Sequence, residues 1–269
     1  MDENHLRLRE LHQRWRLTAD SAPFRTHSSL LQPVLYRGLP AMVKIALCQE
    51  EYQGGLVMQF WNGEGAARVY DRDDEALLLE RAACQRSLAG MVAEGKDDEA
   101  TRILCEVVNR LHQHKAPASL PLTPLSQRLA ALEKATTTPY LRAAAIAREL
   151  LSDPQPSVVL HGDIHHANII DADRGWIAID PKGLSGERGY DFANILCNPD
   201  EATALTPGRL LRQVDIIAEC SALDRQRLLA WVAVHGALSA AWLEEDGADP
   251  GVRLAVSQTA MVLSEGKRN

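Results

Sequence analysis

The chain has 269 residues, enough for one large domain or for two lobes that each bury an apolar core. Apolar residues make up 46% and charged residues 24% of the chain, which is ordinary for a soluble globular protein. The net charge of −7 argues against nucleic acid as the main partner and suits a cationic ligand better.

The cysteines and the apolar stretches indicate where in the cell the protein is located. Five cysteines without a C-x-x-C pair fit a reducing compartment and buried thiols. The charged stretch MDENHLRLRELHQRW lacks the apolar core of a secretion signal. The longest apolar stretch, LLAWVAVHGALSAAWL, contains His235 and is too short to span a bilayer. We expect a cytoplasmic protein with no membrane partner, and the oligomeric state stays open.

The first 82 residues have the pattern of a small lobe rich in β-strands. Residues 1–20 have the spacing of an amphipathic helix. Next we predict two strands, over 30–36 and 41–47, that are joined by an RGLP turn. A helix over 48–63, closed by Asn62-Gly63, follows, and then two short strands within 66–82. The second strand carries a lone lysine, Lys44. The Gly54-Gly55 pair is a weak glycine signal that favours a turn.

Helical patterns dominate from residue 83 onward. They cover residues 87–95, 97–115, 124–136 and 140–153, and they resume from about residue 207 to the end. The predicted fold is therefore α+β and bilobal, with a small β-rich lobe over 1–82 and a larger, mainly helical lobe over 83–269.

One polar segment interrupts the helical half, VVLHGDIHHANIIDADRGWIAID, at 158–180. Its apolar runs read as three short strands, and DADRG is a good hairpin turn between the last two. Asp163 then lies in a loop before the hairpin, with Asn168 near the start of the hairpin and Asp180 at its end. A hairpin brings its two ends together, so these three oxygen-bearing side chains can converge.

That convergence suits phosphoryl transfer, which needs positioning and charge neutralisation more than covalent help. An amide and a carboxylate oxygen, from Asn168 and Asp180, are suitable ligands for Mg²⁺, which leaves Asp163 to orient an attacking hydroxyl and accept its proton. The spacing of His161, Asp163 and Asn168 also matches the protein-kinase pattern H-R-D-L-x-x-x-N. Lys44, in AMVKIAL, stands as the kinase strand lysine does in V-A-I-K.

A longer stretch carries a more specific resemblance. LHGDIHHANII followed by RGWIAIDPKGLSGERGYDFANILCNPD resembles the aminoglycoside phosphotransferases, within them the streptomycin 6-phosphotransferase and hydroxyurea phosphotransferase family. The likeness runs from about residue 28 to 246. It implies a protein-kinase-like fold with the nucleotide in the β-rich lobe, the catalytic groups and acceptor in the helical lobe, and ATP and Mg²⁺ as cofactors.

The resemblance also assigns roles. It implies Asp163 as the catalytic base, with Asn168 and Asp180 holding Mg²⁺. Lys44 binds the α- and β-phosphates. A glutamate of the following helix orients Lys44, and Glu51 is preferred to Glu50 for this role. The remaining nucleotide contacts are the backbone at Glu80 to Ala82, facing the adenine, and Ser28 and Ser29, which cover the phosphates in place of a G-x-G-x-x-G loop. The sequence departs from protein kinases after Asp180, where Pro-Lys-Gly replaces Phe-Gly.

Several polar residues can be explained by a structural role as well as by a functional one. His161 is expected to brace the loop, and His165 and His166 to be structural or solvent-facing rather than zinc ligands. Asp191 is expected to bond the catalytic loop. The acidic stretch WLEEDGAD at 242–249 is either a solvated helix end or an acidic wall for an amine- or guanidinium-bearing substrate.

Four functions follow from these interpretations. The leading one is an ATP-dependent O-phosphotransferase of a small, cationic molecule, most of all an aminoglycoside such as streptomycin, which would confer antibiotic resistance. The second is a kinase of hydroxyurea or of an unrelated metabolite, since fold does not fix the acceptor. GDIHH also gives a remote alternative, a dinuclear metallophosphoesterase. A non-catalytic nucleotide sensor is the fourth.

Overall fold

The computed structural model of the protein describes residues 3–134 and 137–265. The N-terminal part contains helices α1 (Glu3–Trp15) and α2 (Gln49–Trp61) and six strands: β1 (Thr18–Ala19), β2 (Phe24–Arg25), β3 (Ser29–Tyr36), β4 (Leu39–Ala46), β5 (Val69–Asp73) and β6 (Ala76–Glu80). The strands form one antiparallel sheet in the order β1-β3-β4-β6-β5, with β2 also paired to β3. The predicted order of strand, strand, helix, strand, strand is confirmed by β3, β4, α2, β5 and β6, whereas the short strands β1 and β2 were not predicted.

Helix α1 ends at Trp15, so the helix predicted over residues 1–20 was too long. Arg16 adopts a left-handed backbone conformation with φ of 53°. The Leu17 amide donates to the His12 carbonyl at 2.9 Å, and the Arg16 amide donates to the Gln13 carbonyl at 3.4 Å. This is the Schellman arrangement that closes helices, formed here without the usual glycine.

The N-terminal sheet has its own apolar core on the face that α1 covers. Leu8, Leu11 and Trp15 of α1 pack there with Val34 and Ile45 of the sheet. All five side chains are at most 6% exposed, so burial of apolar area holds the helix in place.

The C-terminal part is mainly helical, as predicted. Its helices are α3 (Leu88–Ala93), α4 (Asp97–Leu111), α5 (Leu125–Arg128), α6 (Thr138–Ser152), α7 (Gly189–Ala193), α8 (Glu201–Ala204), α9 (Arg209–Ser221), α10 (Arg225–Glu245) and α11 (Gly251–Glu265). Helix α10 lies at the centre and packs against α6, α7, α9 and α11. No helix of the two described ranges is long and apolar enough to cross a membrane.

One predicted helix of this part is mostly a different structure. The pattern over 124–136 gives one α-helical turn, α5, followed by a 3₁₀ helix over Leu129–Lys134. Leu125, Leu129 and Leu132 are buried along it, so the apolar spacing that predicted a helix still faces the core. Residues 135 and 136 of the predicted helix lie outside the described residues.

Five short strands position the polar segment: β7 (Thr123–Pro124), β8 (Ser157–Leu160), β9 (Ile169–Ala172), β10 (Gly175–Ala178) and β11 (Leu184–Glu187). Strands β9 and β10 form the predicted hairpin. Strand β11 was not predicted; it pairs antiparallel with β8 and parallel with β7. Gly186 lowers the apparent strand propensity of this segment. The structure requires glycine there, because a Cβ would lie 2.5 Å from Leu125 Cδ1.

The hairpin turn joins the two parts of the chain. The Arg174 guanidinium donates to the carbonyls of Gly63 and Ala66, at 2.5 and 2.6 Å, and to the Glu80 carboxylate at 2.8 Å. Ala66 also forms a bridge with Ala178 of β10. The boundary at residue 82 stays a prediction; β6 ends two residues before it, at Glu80.

Candidate active site

A buried carboxylate on α2 organises one side of the site. Glu51 is 4% exposed and forms an ion pair with Lys44, which projects from β4. Its two oxygens also accept hydrogen bonds from the Ser28 and Ser29 hydroxyls, at 3.1 and 3.2 Å. The rival glutamate, Glu50, points elsewhere.

The loop after β8 is held by a second buried carboxylate. Asp191 accepts hydrogen bonds from the amides of His161 at 2.9 Å and of Gly162 at 2.7 Å. His161 in turn lies 2.8 Å, through Nε2, from the Ile179 carbonyl, and its Nδ1 accepts from the Asp163 amide at 3.2 Å. The expectations that His161 braces the loop and that Asp191 bonds it are confirmed by these contacts.

Three amide and imidazole groups surround the Asp163 carboxylate. Asn194 Nδ2 donates to Oδ1 at 3.0 Å, and Asn168 Nδ2 lies 3.3 Å from Oδ2. His165 Nε2 lies 3.7 Å from Oδ2. Burial opposes ionisation of this carboxyl, but the His165 ring and the Lys182 ammonium outweigh it and hold its pKa at about 2. Asp163 is therefore ionised at neutral pH.

Asn194 is a residue that the sequence interpretation missed. Its amide is fixed by two further contacts, because Arg253 Nη1 donates to its Oδ1 at 3.0 Å and Asn198 Nδ2 donates to its backbone carbonyl at 2.8 Å. It belongs to the 3₁₀ turn after α7, 31 residues beyond Asp163, and no spacing rule in the sequence connects the two.

The hairpin brings Asn168 and Asp180 to one place. The Ile179 amide donates to the Asn168 carbonyl at 2.9 Å, which continues the β9–β10 pairing to the residue before Asp180. The Asp180 carboxylate contacts Lys44 on one oxygen and Lys182 on the other, the latter at 3.1 Å. Burial raises the pKa of this carboxyl, but the two ammonium groups outweigh burial and hold it well below the usual range.

A cavity of about 380 Å³ lies between the N-terminal sheet and the β9–β10 hairpin. Seven of the nine predicted site residues line it: Ser28, Ser29, Lys44, Glu80, Ala82, Asn168 and Asp180. Glu51 and Asp163 do not line it, but each contacts a residue that does, Lys44 and Asn168 respectively. The Glu80 carboxylate is engaged by Arg174, so only the backbone of Glu80 is available to a ligand.

A second cavity, of about 580 Å³, lies between α2, α5 and the end of α10. Its acidic lining consists of Glu50, Glu245 and Asp246. Glu50 is paired with Arg128 at 2.9 Å, whose guanidinium lies 4.4 Å from the centre of the Trp242 ring. Glu245 and Asp246 are exposed. Part of the WLEEDGAD stretch therefore faces a cavity.

The segment between the two cavities carries a second lysine. Asp180 lines the first cavity and Lys182 the second. Lys182 Nζ contacts Glu51 at 2.9 Å as well as Asp180. Lys182 was noted in the sequence only as part of the departure from Phe-Gly, and its place at this junction was not foreseen.

Helix α2 packs directly against this segment through a glycine. The interpretation that Gly54-Gly55 marks a turn was wrong, because both residues lie inside α2. A Cβ on Gly54 would lie 2.0 Å from the Pro181 carbonyl oxygen, so only glycine permits this approach. The glycine is a packing requirement rather than a turn signal.

The histidines of the polar segment form no metal cluster. Within residues 3–134 and 137–265, no group of three or more His, Cys, Asp or Glu side chains is arranged to hold a metal ion. His166 is buried with both ring nitrogens lacking a hydrogen-bond partner, and burial lowers its pKa to about 4. This agrees with the structural role expected for His166.

The chain is similar in sequence to known antibiotic kinases. It is 43% identical to a streptomycin 3''-kinase from Klebsiella pneumoniae, over 87% of this chain and 91% of that protein. It is 32% identical to a streptomycin 6-kinase from Streptomyces glaucescens, over 96% and 87%. A hydroxyurea phosphotransferase from Kitasatospora aureofaciens is 30% identical, over 95% and 78%.

Solved structures confirm the kinase-like fold. A thermostable mutant of aminoglycoside phosphotransferase APH(4)-Ia, in complex with ADP and hygromycin B, superposes with a TM-score of 0.67 at 13% identity, over 96% of this chain and 98% of that chain. Choline kinase LicA from Streptococcus pneumoniae superposes with a TM-score of 0.65 at 11% identity, over 97% and 98%.

The family itself follows from a sequence profile. The profile described as aminoglycoside/hydroxyurea antibiotic resistance kinase matches residues 14–247, most of the chain. This match sets aside the metallophosphoesterase alternative and confirms the resemblance found in the sequence. The chain belongs to the aminoglycoside/hydroxyurea antibiotic resistance kinase family.

Proposed function

We propose that this protein transfers the γ-phosphoryl group of ATP to a hydroxyl of an aminoglycoside, with streptomycin as the first candidate acceptor. The observation that carries the proposal is the junction of two cavities at residues 180–182. One cavity is lined by Lys44, Asn168 and Asp180, and the other has an acidic lining. The 43% identity to a streptomycin 3''-kinase makes the 3''-hydroxyl the first position to examine.

The first cavity has the groups that a nucleotide needs. Its apolar walls, including Met42, Leu77 and Ile170, suit an adenine ring, whose edge would bond the backbone at Glu80 to Ala82. Lys44, held by Glu51, would contact the phosphates. The Ser28 and Ser29 hydroxyls donate to the same carboxylate, so they would help Glu51 to hold Lys44.

Asn168 and Asp180 fit a magnesium ion. They offer an amide oxygen and an ionised carboxylate in one cavity, the ligand types that Mg²⁺ takes. When bound, Mg²⁺ would neutralise phosphate charge. The Asp180 carboxylate has two cationic partners, the Lys44 and Lys182 ammonium groups.

Asp163 would direct the acceptor hydroxyl. The new bond joins the acceptor oxygen to the γ-phosphorus, the bond from that phosphorus to the β-bridging oxygen breaks, ADP leaves, and the hydroxyl proton passes to Asp163. A carboxylate with a pKa of about 2 is too weak a base to remove that proton before the bond forms. Asp163 therefore orients the hydroxyl and takes the proton late, as a loose transition state allows.

The second cavity suits a cationic acceptor. Glu245 and Asp246 are exposed carboxylates at its edge, and amine- or guanidinium-bearing sugars complement them. A volume of about 580 Å³ is in the range of drug-sized ligands. Hydroxyurea is far smaller and uncharged, so the acidic edge favours the aminoglycoside.

The test is a transfer reaction with purified protein, Mg-ATP and a panel of streptomycin, other aminoglycosides and hydroxyurea. Product is identified by mass spectrometry and the modified hydroxyl by NMR, with Asp163→Ala as the matched inactive variant. We expect phosphorylated streptomycin from the wild type and none from the variant. Transfer to hydroxyurea alone, or nucleotide binding without transfer to any acceptor, would contradict the proposal.

A further inference from the structure

A cation lies where the two substrate cavities meet. Lys182 Nζ is 3.1 Å from Asp180, which lines the first cavity, while the Lys182 side chain lines the second. A phosphoryl group that moves between a nucleotide in one cavity and an acceptor in the other has to pass this point. We propose that Lys182 is a catalytic residue that contacts the transferred phosphoryl group and stabilises the charge on its oxygens. The inference rests on the proposed function.

Lys182 is held in a fixed position before any ligand arrives. Its backbone amide donates to the His161 carbonyl at 2.7 Å, which ties it to the loop that bears Asp163. The next residue, Gly183, accepts from the Thr123 amide at 2.9 Å. The Lys182 side chain is only 14% exposed. A preorganised cation in a partly dry site stabilises developing charge far better than one free in water.

The arginines that line the two cavities contact carboxylates other than Asp180 and Glu51. In the second cavity, Arg128 is paired with Glu50 and stacked on Trp242. In the first cavity, Arg81 is paired with Asp20 at 2.5 Å. Lys44 is the cation expected on the inner phosphates. Among the described residues that line the second cavity, Lys182 is the cation in contact with Asp180, and this position suits the outermost phosphate.

Lys182 shares its two ion-pair partners with Lys44. Its ammonium group lies 2.9 Å from the Glu51 carboxylate and 3.1 Å from the Asp180 carboxylate. Glu51 and Asp180 each keep Lys44 as a second partner. Removal of the Lys182 charge therefore leaves neither carboxylate unpaired, and a neutral variant is expected to fold.

The test compares Lys182→Met, which keeps length but not charge, with Lys182→Arg, which keeps the charge. Lys96→Met, at an exposed lysine remote from both cavities, is the matched control. Measurements are kcat for streptomycin and affinity, by calorimetry, for ADP and for a non-hydrolysable ATP analogue. For Lys182→Met we expect kcat to fall by about 100- to 1,000-fold. Affinity for the analogue should fall roughly tenfold, with ADP affinity unchanged.

The ADP measurement separates contact with the outer phosphate from a purely structural role. If Lys182 only braces Glu51 and Lys44, ADP affinity falls in parallel with that of the analogue, and the proposal is overturned. Wild-type turnover by Lys182→Met, or equal loss of turnover in the Met and Arg variants, also overturns it. If the wild type phosphorylates no acceptor, the acceptor assignment fails, while the comparison of ADP with the analogue still decides the role of Lys182.

Discussion

Helix α2 approaches the Pro181 carbonyl through Gly54, which leaves no room for a side chain there and gives a specific prediction. In Gly54→Ala the new Cβ would start 2.0 Å from the Pro181 oxygen, whereas real Cβ contacts essentially never fall below 3.0 Å. Helix α2 and the segment 180–182 must therefore separate by about 1 Å. The carbonyl belongs to the main chain, so no side-chain rotation relieves the clash.

The separation acts on both carboxylates that hold the site lysines. Glu51 lies one turn before Gly54 on α2, and Asp180 immediately precedes Pro181. Misplacement of catalytic groups by about 1 Å costs about 100-fold in rate, and we expect kcat to fall by that factor. Overpacking costs about 1–3 kcal/mol of unfolding free energy. The higher helix propensity of alanine offsets this by about 1 kcal/mol of unfolding free energy, so the protein should remain folded.

The adjacent glycine supplies a matched control. In Gly55→Ala the new Cβ would lie 3.1 Å from Leu77 Cδ1, a methyl group on a side chain that can move. Both variants make the same chemical change in the same helix. We expect Gly55→Ala to keep near-wild-type kcat and to be at least as stable as Gly54→Ala.

The assay is steady-state kinetics with both substrates, together with urea unfolding followed by circular dichroism. The informative quantity is the ratio of kcat between the two alanine variants. Equal kcat values for Gly54→Ala and Gly55→Ala would refute the reasoning, because they would mean that the contact of α2 with Pro181 does not position the site.

Three further predictions concern other parts of the molecule. In Asn194→Ala, Asp163 loses a donor, and kcat should fall by about 10- to 100-fold with little change in either KM; a raised KM for streptomycin alone would contradict this. Burial and the nearby Arg253 charge lower the pKa of His235 from 6.5 to about 4. Between about pH 6.5 and 4 the unfolded chain therefore binds more protons than the folded one. As the pH is lowered through this range, the free energy of unfolding should decrease by about 1.4 kcal/mol per pH unit. His166 has the same lowered pKa and contributes a similar slope, so urea unfolding at several pH values should show the total slope reduced, by about 1.4 kcal/mol per pH unit, in His235→Gln. The double variant Glu245→Gln, Asp246→Asn should raise KM for streptomycin about fivefold at low salt, with KM for ATP unchanged; equal KM values at low and high salt would count against an electrostatic role.

The sequence was sufficient for those parts of the site that one local segment carries. Asp163, Asn168 and Asp180 belong to a single strand–loop–hairpin unit, so spacing and turn chemistry place them near each other. Lys44 alone would be taken for an ordinary edge-strand charge, and it was singled out because AMVKIAL resembles the kinase V-A-I-K and the three aspartate and asparagine positions follow downstream. These are the features that short-range rules describe, and their functional roles remain proposals that the experiments above test.

The features that escaped prediction are contacts between segments far apart in the chain. Asn194 meets Asp163, Lys182 meets Glu51, and Gly54 meets Pro181 only after the chain has folded. The end of α1 was missed for a related reason, because Arg16 takes the left-handed conformation that glycine usually signals. No periodicity marks such positions.

The neighbouring glutamates on α2 have a thermodynamic consequence. Glu51 contacts the lysine of the first cavity, while Glu50 contributes to the wall of the second. One helical turn thus contributes to both cavities, so under the proposed function a rotation of α2 on nucleotide binding would also move the wall of the second cavity. Linkage then requires reciprocity: the factor by which ATP changes the affinity for the acceptor equals the factor by which the acceptor changes the affinity for ATP.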